Sequence, residues 1–468
     1  MMRFVMLTLF LVIGTAMGSG RRSAAVGIAR DYLGSTSAAR LTQLSKELSR
    51  YDVEWDSVIK GLQPVPPVAE KLNRLISDRF RTPHLKRKHP DARLYYVIPG
   101  SYTNTVPNGL LIYLHGGNRS TQSDMPGIHM RFPRANEPRD AHLMADLFTR
   151  TGMIGVGPSA PVDPQDDWRW GVPGTEEYLT DVIEEVGRRY AVDPNRVFVL
   201  GYSMGGYGAY HVAQTQPDRY AGIIAVSGAW EAAHWPGLLG TDFCMVHGAN
   251  DARHGFRSRY TDPTYPRLAS RQMKAQKVPH TYLEHQWGHG FAEAKPHVLK
   301  HLLAVRDKHR DPFFPRVSLT TPIGNTISKF RFVQHRRWVS IDRIGYGKVR
   351  YDALPSMWGR IGLEQAESIE KWNAWTLPPY DHHGKGAAVR ANHDGDNRFT
   401  VRTTNVKRLS LWLHPKMVDV SRPAVIRLDG KTRTVDIPKP SLAVALDSYK
   451  RCRDWGLIYP IRLRLSVD

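Results

Sequence analysis

Val197-Phe198-Val199-Leu200-Gly201-Tyr202-Ser203-Met204-Gly205-Gly206 is the stretch on which the reading of this chain turns. Four apolar residues in a row, two of them β-branched, make a short strand buried on both faces. They run directly into a glycine-rich turn, and Gly205–Gln216 beyond it has the composition and length of a helix. A serine on so sharp a strand-to-helix turn stands in strained backbone, and side chains at the flanking glycines would collide with it. Gly-x-Ser-x-Gly alone is a common pattern. Between a strand and a helix it becomes the arrangement that lifts a serine hydroxyl above the edge of a sheet as a nucleophile.

Working outward, short apolar runs alternate with helical stretches on both sides of Ser203. Leu94–Ile98, Leu110–Leu114, Met153–Val156, Ile223–Val226, Phe243–Val246 and Thr281–Leu283 are further strand candidates, and Thr175–Tyr190, Tyr265–Lys277 and Pro296–Arg306 are helix candidates. Nearly continuous apolar strands alternating with helices predict a largely parallel sheet covered on both faces, an α/β class. Before it, Leu41, Leu44 and Leu48, then Val68, Leu72, Leu75 and Ile76, recur at helical spacings, so residues 19–90 read as a helical preface packed on the main domain. After Asp311-Pro312-Phe313-Phe314-Pro315 the pattern turns to strands at Phe399–Arg402, Leu409–Leu413 and Val425–Leu428, with Asp429-Gly430 as a hairpin turn and an alternating strand near the end. The expected organisation is an export signal over residues 1–18, the preface, an α/β catalytic domain over residues 91–310 and a smaller, mostly-β domain over residues 316–468.

The signal reading rests on one early positive charge, an apolar run over Phe4–Ala16 and small residues around Ala16-Met17-Gly18. That run is shorter than the roughly 20 residues a membrane-spanning helix needs, so the protein is expected to be secreted or periplasmic. At 468 residues and 41% hydrophobic, the chain can bury a sizeable core, which excludes global disorder. Of its two cysteines, Cys244 sits inside an apolar run; pairing with Cys452 stays open in an oxidising compartment. The net charge is +21, and Arg316–Asp468 contributes +13 of it. Such a field attracts polyanions, so an anionic polysaccharide or envelope polymer is the partner expected for the basic β domain, through Arg336-Arg337, Lys407-Arg408, Arg462 and Arg464. The competing reading is a solvated surface on a generally basic protein.

A serine hydroxyl needs a base within hydrogen-bond reach to act as a nucleophile at neutral pH. His289, in Gln286-Trp287-Gly288-His289-Gly290-Phe291, lies in a loop just past a strand and is flanked by glycines; His285, nearer the strand, competes with it. The carboxylate that would hold the imidazole in its productive tautomer is expected at the same sheet edge. Asp251 follows the strand Phe243–Val246, whereas Asp242 begins it and belongs to the far end. Donors for an oxyanion are expected from the backbone N–H of Met204 and from His115-Gly116-Gly117-Asn118, with Gly117 favoured and Gly116 close behind.

Together, His115-Gly116-Gly117, the Gly-Tyr-Ser-Met-Gly-Gly turn, His247-Gly248-Ala249-Asn250-Asp251 and Gly288-His289-Gly290 resemble the secreted esterase and prolyl-oligopeptidase-like branch of the α/β-hydrolases. That branch includes feruloyl-esterase-like and polyhydroxybutyrate-depolymerase-like enzymes. The resemblance spans about residues 90–306 and implies a mostly parallel central sheet, a Ser203–His289–Asp251 triad and no cofactor. It implies hydrolysis of carboxylic esters, with peptide cleavage as the alternative. The oligopeptidases proper carry a β-propeller, for which the preface is too short. A non-catalytic binder of anionic polymers is the reading from another class. Trp168, Trp170, Trp230 and Trp287 would serve either as an aromatic wall for a substrate or as cover over the sheet.

Overall fold

A computed structural model describes residues 20–51, 53–67, 71–117, 124–133, 144–162, 169–172, 174–230, 232–251, 261–323, 331–353 and 379–467. The signal reading over residues 1–18 lies outside them. No helix among the described residues is long and apolar enough to cross a membrane.

The apolar runs become strands: β1 (Leu75–Asp78), β2 (Leu94–Val97), β3 (Asn108–Leu114), β4 (Ile154–Pro158), β5 (Val192–Tyr202), β6 (Gly222–Val226), the two-residue β7 (Ala232–Ala233), β8 (Asp242–Gly248) and β9 (Thr281–His285). All but β7 join one eight-stranded sheet in the order β1-β2-β4-β3-β5-β6-β8-β9. From β4 to β9 neighbouring strands are parallel, and β1 and β2 add an antiparallel edge. The two-residue period of each strand sorts its side chains onto two cores. Ile112, Leu114, Val197, Val199, Ile223 and Met245 pack under the helices Thr175–Arg189, Met204–Thr215 and Thr264–Ala275. Leu111, Tyr113, Phe198, Leu200, Ile224 and Val246 face the helices Ala145–Thr151 and Phe291–Val305. This is an α/β-hydrolase fold. One expectation changes at its margin: Leu75 and Ile76 lie on a strand, not a helix. Their spacing suited both, and pairing of Leu75 with Val97 satisfies the backbone of a sheet edge.

The C-terminal region forms β10 (Arg316–Thr321), β11 (His335–Arg336), β12 (Val339–Ile344), β13 (Tyr346–Ala353), β14 (Tyr380–Lys385), β15 (Ala387–Gly395), β16 (Arg398–Thr404), β17 (Val406–Leu413), β18 (Ala424–Leu428), β19 (Lys431–Val435) and β20 (Ile461–Ser466). Sheets ordered β10-β15-β16-β18-β19 and β11-β12-β17-β20 enclose a core that includes Leu319, Val389, Val401 and Ile426 from the first and Ile341, Leu409, Leu411 and Leu463 from the second. The hairpin β13–β14 pairs with β7, so the α/β region contributes a strand to a β-region sheet.

The junction between the two regions is polar and buried. The Arg336 guanidinium donates to the carbonyls of Gly237 and Gln214 at 2.9 and 3.0 Å. Arg337 donates its backbone N–H to the Asp218 carboxylate at 2.6 Å and its guanidinium to the Leu239 carbonyl. Arg310 grips both carboxylate oxygens of Asp454. These arrangements correct the basic-surface reading at two positions: Arg336 and Arg337 are buried and cannot meet a polymer. Arg462 is also partly spent, since it pairs with Asp342 at 3.0 Å and lies over the Trp412 ring; Arg464 stays exposed.

The preface is helical over 20–34, Ala38–Leu48 and Trp55–Leu62. These helices pack Ala29, Leu44, Leu48, Val58 and Ile59 against Leu442, Ala445 and Leu446 of the helix Leu442–Cys452, while the later part of the preface adds β1 to the central sheet. Cys244 and Cys452 are both buried and unpaired.

Candidate active site

Strand β5 delivers Ser203 at its carboxyl end with φ 54° and ψ −115°, a positive-φ conformation that a residue with a side chain adopts only under constraint. Its backbone N–H is tied to the Val226 carbonyl at 2.9 Å. The glycines around it are required by close approach. A Cβ at Gly201 would lie 2.0 Å from the Gly205 carbonyl oxygen, and one at Gly205 would lie 1.9 Å from that of Leu114. A Cβ at Gly206 would lie 2.6 Å from the Val226 oxygen. The turn therefore nests against β3 and β6 with no room for a methyl group.

Strands β8 and β9 bring up the other two side chains at the same sheet edge. His289 Nε2 lies 2.9 Å from Ser203 Oγ, and its Nδ1 lies 2.8 Å from Asp251 Oδ2. Asp251 is buried, while the imidazole is 39% exposed, so the site opens to solvent on the serine and histidine side. The competing residues are elsewhere. Asp242 pairs with His301 and Lys308, both at 2.9 Å, at the opposite end of β8. His285 is buried and stacked on His297.

Several partners of this line of three carried no assignment in the sequence. The Thr261 hydroxyl donates to Asp251 Oδ1 at 2.8 Å. His247 lies 3.4 Å from Oδ2 and donates to the Thr261 carbonyl at 2.5 Å. Burial holds the His247 imidazole down to about 4, so it stays neutral beside the carboxylate. The Tyr202 hydroxyl donates to the His289 carbonyl at 2.8 Å and steadies that loop. For His247, the four-residue spacing to Asp251 was a visible signal; for Thr261 there was none.

Met204 opens the helix Met204–Thr215, where backbone N–H groups have no partner within the helix. Opposite it, Gly116 follows β3; a Cβ there would lie 3.4 Å from that of Ser203. His115 fixes this segment. Burial lowers its pKa to about 4 and keeps the ring neutral. Nε2 accepts from the Ala160 N–H at 3.0 Å, which leaves the proton on Nδ1, 2.9 Å from the Gly116 carbonyl. In a trans peptide the C=O and the following N–H point in opposite directions. With the Gly116 carbonyl turned to His115, the Gly117 N–H faces away from that ring. Gly117 has φ 143°, a conformation open to glycine. Asn118 lies outside the described residues.

Among the tryptophans, Trp170 is buried and donates its indole N–H to the His115 carbonyl at 3.1 Å. Trp230 is fully buried against Trp235. Both act as cover and support. Trp287 is 56% exposed, two residues before His289. Trp168 lies outside the described residues.

The fold and this edge define the class. Residues 153–306 match the family described as Serine aminopeptidase, S33. The chain is 27% identical over 193 residues to a bifunctional acetylxylan esterase/xylanase from Neocallimastix patriciarum, covering 38% of this chain and 25% of that one. It is 28% identical over 138 residues to the putative esterase NocK of Nocardia uniformis subsp. tsuyamanensis, covering 29% of this chain and 38% of that one. A solved ferulic acid esterase superposes with a TM-score of 0.37 at 17% identity, covering 50% of this chain and 97% of its own. The chain spans between a quarter and two fifths of the length of the curated relatives it matches. The central region has the α/β-hydrolase fold, and its matches are to an aminopeptidase family and to esterases.

Proposed function

We propose that the protein is an exported serine hydrolase that cleaves carboxylic esters through an acyl intermediate on Ser203. The observation that carries this reading is the unbroken line from Ser203 Oγ through His289 to Asp251, at 2.9 and 2.8 Å, on a strained strand-to-helix turn. His289 Nε2 takes the hydroxyl proton as Oγ attacks the carbonyl carbon, and the carbonyl π pair moves onto oxygen. The N–H groups of Met204 and Gly117 stabilise that oxyanion, with Gly116 letting the backbone approach. Collapse expels the alkoxide, which takes the proton from His289. Water then repeats the sequence and releases the acid and free Ser203. Asp251 keeps the proton on Nδ1 and stabilises the imidazolium as it forms.

The acetylxylan and ferulic acid esterases among the similar proteins favour acylated polysaccharides as substrates, and the leader-like N-terminus favours action outside the cytoplasm. The +21 charge supports an anionic polysaccharide or envelope polymer as a partner. Peptide cleavage is the second reading, favoured by the aminopeptidase family match. The test pairs a fluorophosphonate label with matched substrates. Ser203 is expected to take the label, and an ester is expected to turn over far faster than its isosteric amide. Absence of labelling leaves a binder; faster amide cleavage makes the enzyme a peptidase.

A further inference from the structure

Strands β15, β16 and β18 give one side to the sandwich core, so alternate residues stand on the opposite face. On that face three arginines gather. Arg390 on β15 lies directly opposite Arg402 on β16, and Arg427 on β18 lies opposite Thr400, two residues before Arg402 on the same strand. All three are exposed. Like charges placed directly opposite on neighbouring strands are destabilising. Nearby ionic groups do find partners: Lys348 and Arg350 share Asp381, and the Asp429 carboxylate accepts from the Thr403 backbone and hydroxyl. Among the described residues, Arg390, Arg402 and Arg427 have no carboxylate partner.

These arginines line a cleft of about 830 Å³ that also takes in Lys348 and Arg350 of β13 and the hydroxyl residues Ser318 and Thr400. Three strands carry the guanidinium groups across about 10 Å, given the 4.7–4.9 Å strand spacing. A single small anion does not cover that span, whereas an oligosaccharide does. Planar guanidinium forks match carboxylates in two-bond contacts, and the hydroxyl side chains between them match sugar hydroxyls. Among the described residues no Phe, Tyr or Trp lines the cleft, so these residues offer none of the stacking platforms that single-stranded nucleic acid uses.

We infer that this cleft binds an extended acidic polysaccharide, with Arg390, Arg402 and Arg427 taking its carboxylate groups. The inference deepens the anionic-partner reading above and is independent of the chemistry at Ser203. It also relocates the basic face from the residues buried at the junction to the outer side of the five-stranded sheet.

The test measures binding of labelled oligogalacturonate, dextran sulfate, neutral xylo-oligosaccharide and oligothymidylate to the full chain at low and high salt. Two variants each remove three positive charges from the β region: Arg390→Gln/Arg402→Gln/Arg427→Gln in the cleft, and Lys407→Gln/Arg408→Gln/Arg464→Gln on β17 and β20. The cleft variant is expected to lose oligogalacturonate affinity by about tenfold or more, and the control by less than about twofold, where tenfold corresponds to 1.4 kcal/mol. Binding should weaken as salt rises, and the neutral sugar should not bind. The cleft variant should melt no lower than the parent, since repulsion is removed, and small-ester turnover should be the same in all three proteins. Equal losses in both variants would overturn a local site in favour of a diffuse field. Dextran sulfate bound in place of oligogalacturonate, or oligothymidylate bound as tightly through the same arginines, would overturn the assigned ligand. Loss of Ser203 labelling with sugar binding intact would strike only the ester reading.

Discussion

At the scale of single residues, Asp251 is held by hydrogen bonds and not by charge. Thr261, His289 and the neutral His247 surround its carboxylate, and no Lys or Arg pairs with it among the described residues. A group placed this way can steer an imidazole without being locked to a fixed cation. Replacing Ser203 by Ala should therefore leave the fold intact and lower kcat by ~10⁴–10⁶. Asp251→Asn and His289→Ala should each be similarly crippling, because the first presents the wrong hydrogen-bond partner to Nδ1 and the second removes the base. His285→Ala and Asp242→Asn, at sites that do not reach Ser203, should change steady-state ester turnover little. Retention of a tenth of parental activity in the serine variant would retire the assignment. The three side chains that meet at this edge were all legible in the sequence, since each follows a recognisable strand end. The tryptophans were less so: an indole beside a loop looks the same whether it covers a sheet, as Trp230 does, or faces solvent, as Trp287 does.

At the scale of elements, the tight fit of the serine turn makes a stability prediction. Gly205→Ala places a methyl group against the Leu114 carbonyl and should cost about 1–3 kcal/mol or more. Gly187→Ala, inside the helix Thr175–Arg189 with nothing within 4 Å of the added Cβ, should stabilise by about 0.4–1 kcal/mol. Thermal melts of the two variants should move in opposite directions. The parallel strands were readable because both of their faces are buried, which leaves an unbroken apolar run such as Leu110–Leu114. The strands that escaped notice carry no such mark. Tyr380–Lys385, with the sequence YDHHGK, is polar throughout and owes its conformation to pairing with β13. β1 escaped because three apolar residues spaced by three and one fit a helix as well as a half-covered edge.

For the whole molecule, the polar junction predicts sensitivity to acid. Burial opposes ionisation of Asp218, yet Arg336 and Arg337 beside it hold its carboxyl down to about 2. Burial likewise opposes ionisation of Glu176, but His211 and then Arg331 hold it down to about 2. Partly buried His234 and His335 are held down to about 3 by desolvation, with nearby arginines adding to it. In every case the folded pKa lies below the unfolded one, so the unfolded chain binds more protons as pH falls. The histidine contribution should fade below about pH 6.5 and the carboxylate contribution below about pH 4.5, where the free groups titrate. Melting temperature should fall steadily from pH 7 to pH 4; a flat profile would contradict the junction chemistry. The same junction means that the β region is not a removable appendage. A chain ending at Asp311 would leave the Asp218 carboxylate and the Gly237 carbonyl without their arginines and β7 without β13. It should be recovered as an aggregating or protease-sensitive species, checked by size exclusion and limited proteolysis.

The seat of the preface on the helix Leu442–Cys452 has a consequence in time. Tyr32 donates to Asp447 at 2.7 Å, and Lys450 donates to the Ser35 carbonyl at 2.5 Å, so contacts join residues more than 400 positions apart. During synthesis the helices of residues 20–62 emerge from the ribosome long before their partner exists, and they remain without that docking surface while the central sheet is being made. Ribosome-bound chains arrested before Leu442 should show residues 20–62 open to protease, and chains extended past Tyr459 and released should show them protected. A segment translated some 400 residues ahead of its partner thus settles only after that partner is made, and the helix Leu442–Cys452 acts as the latch that closes on it.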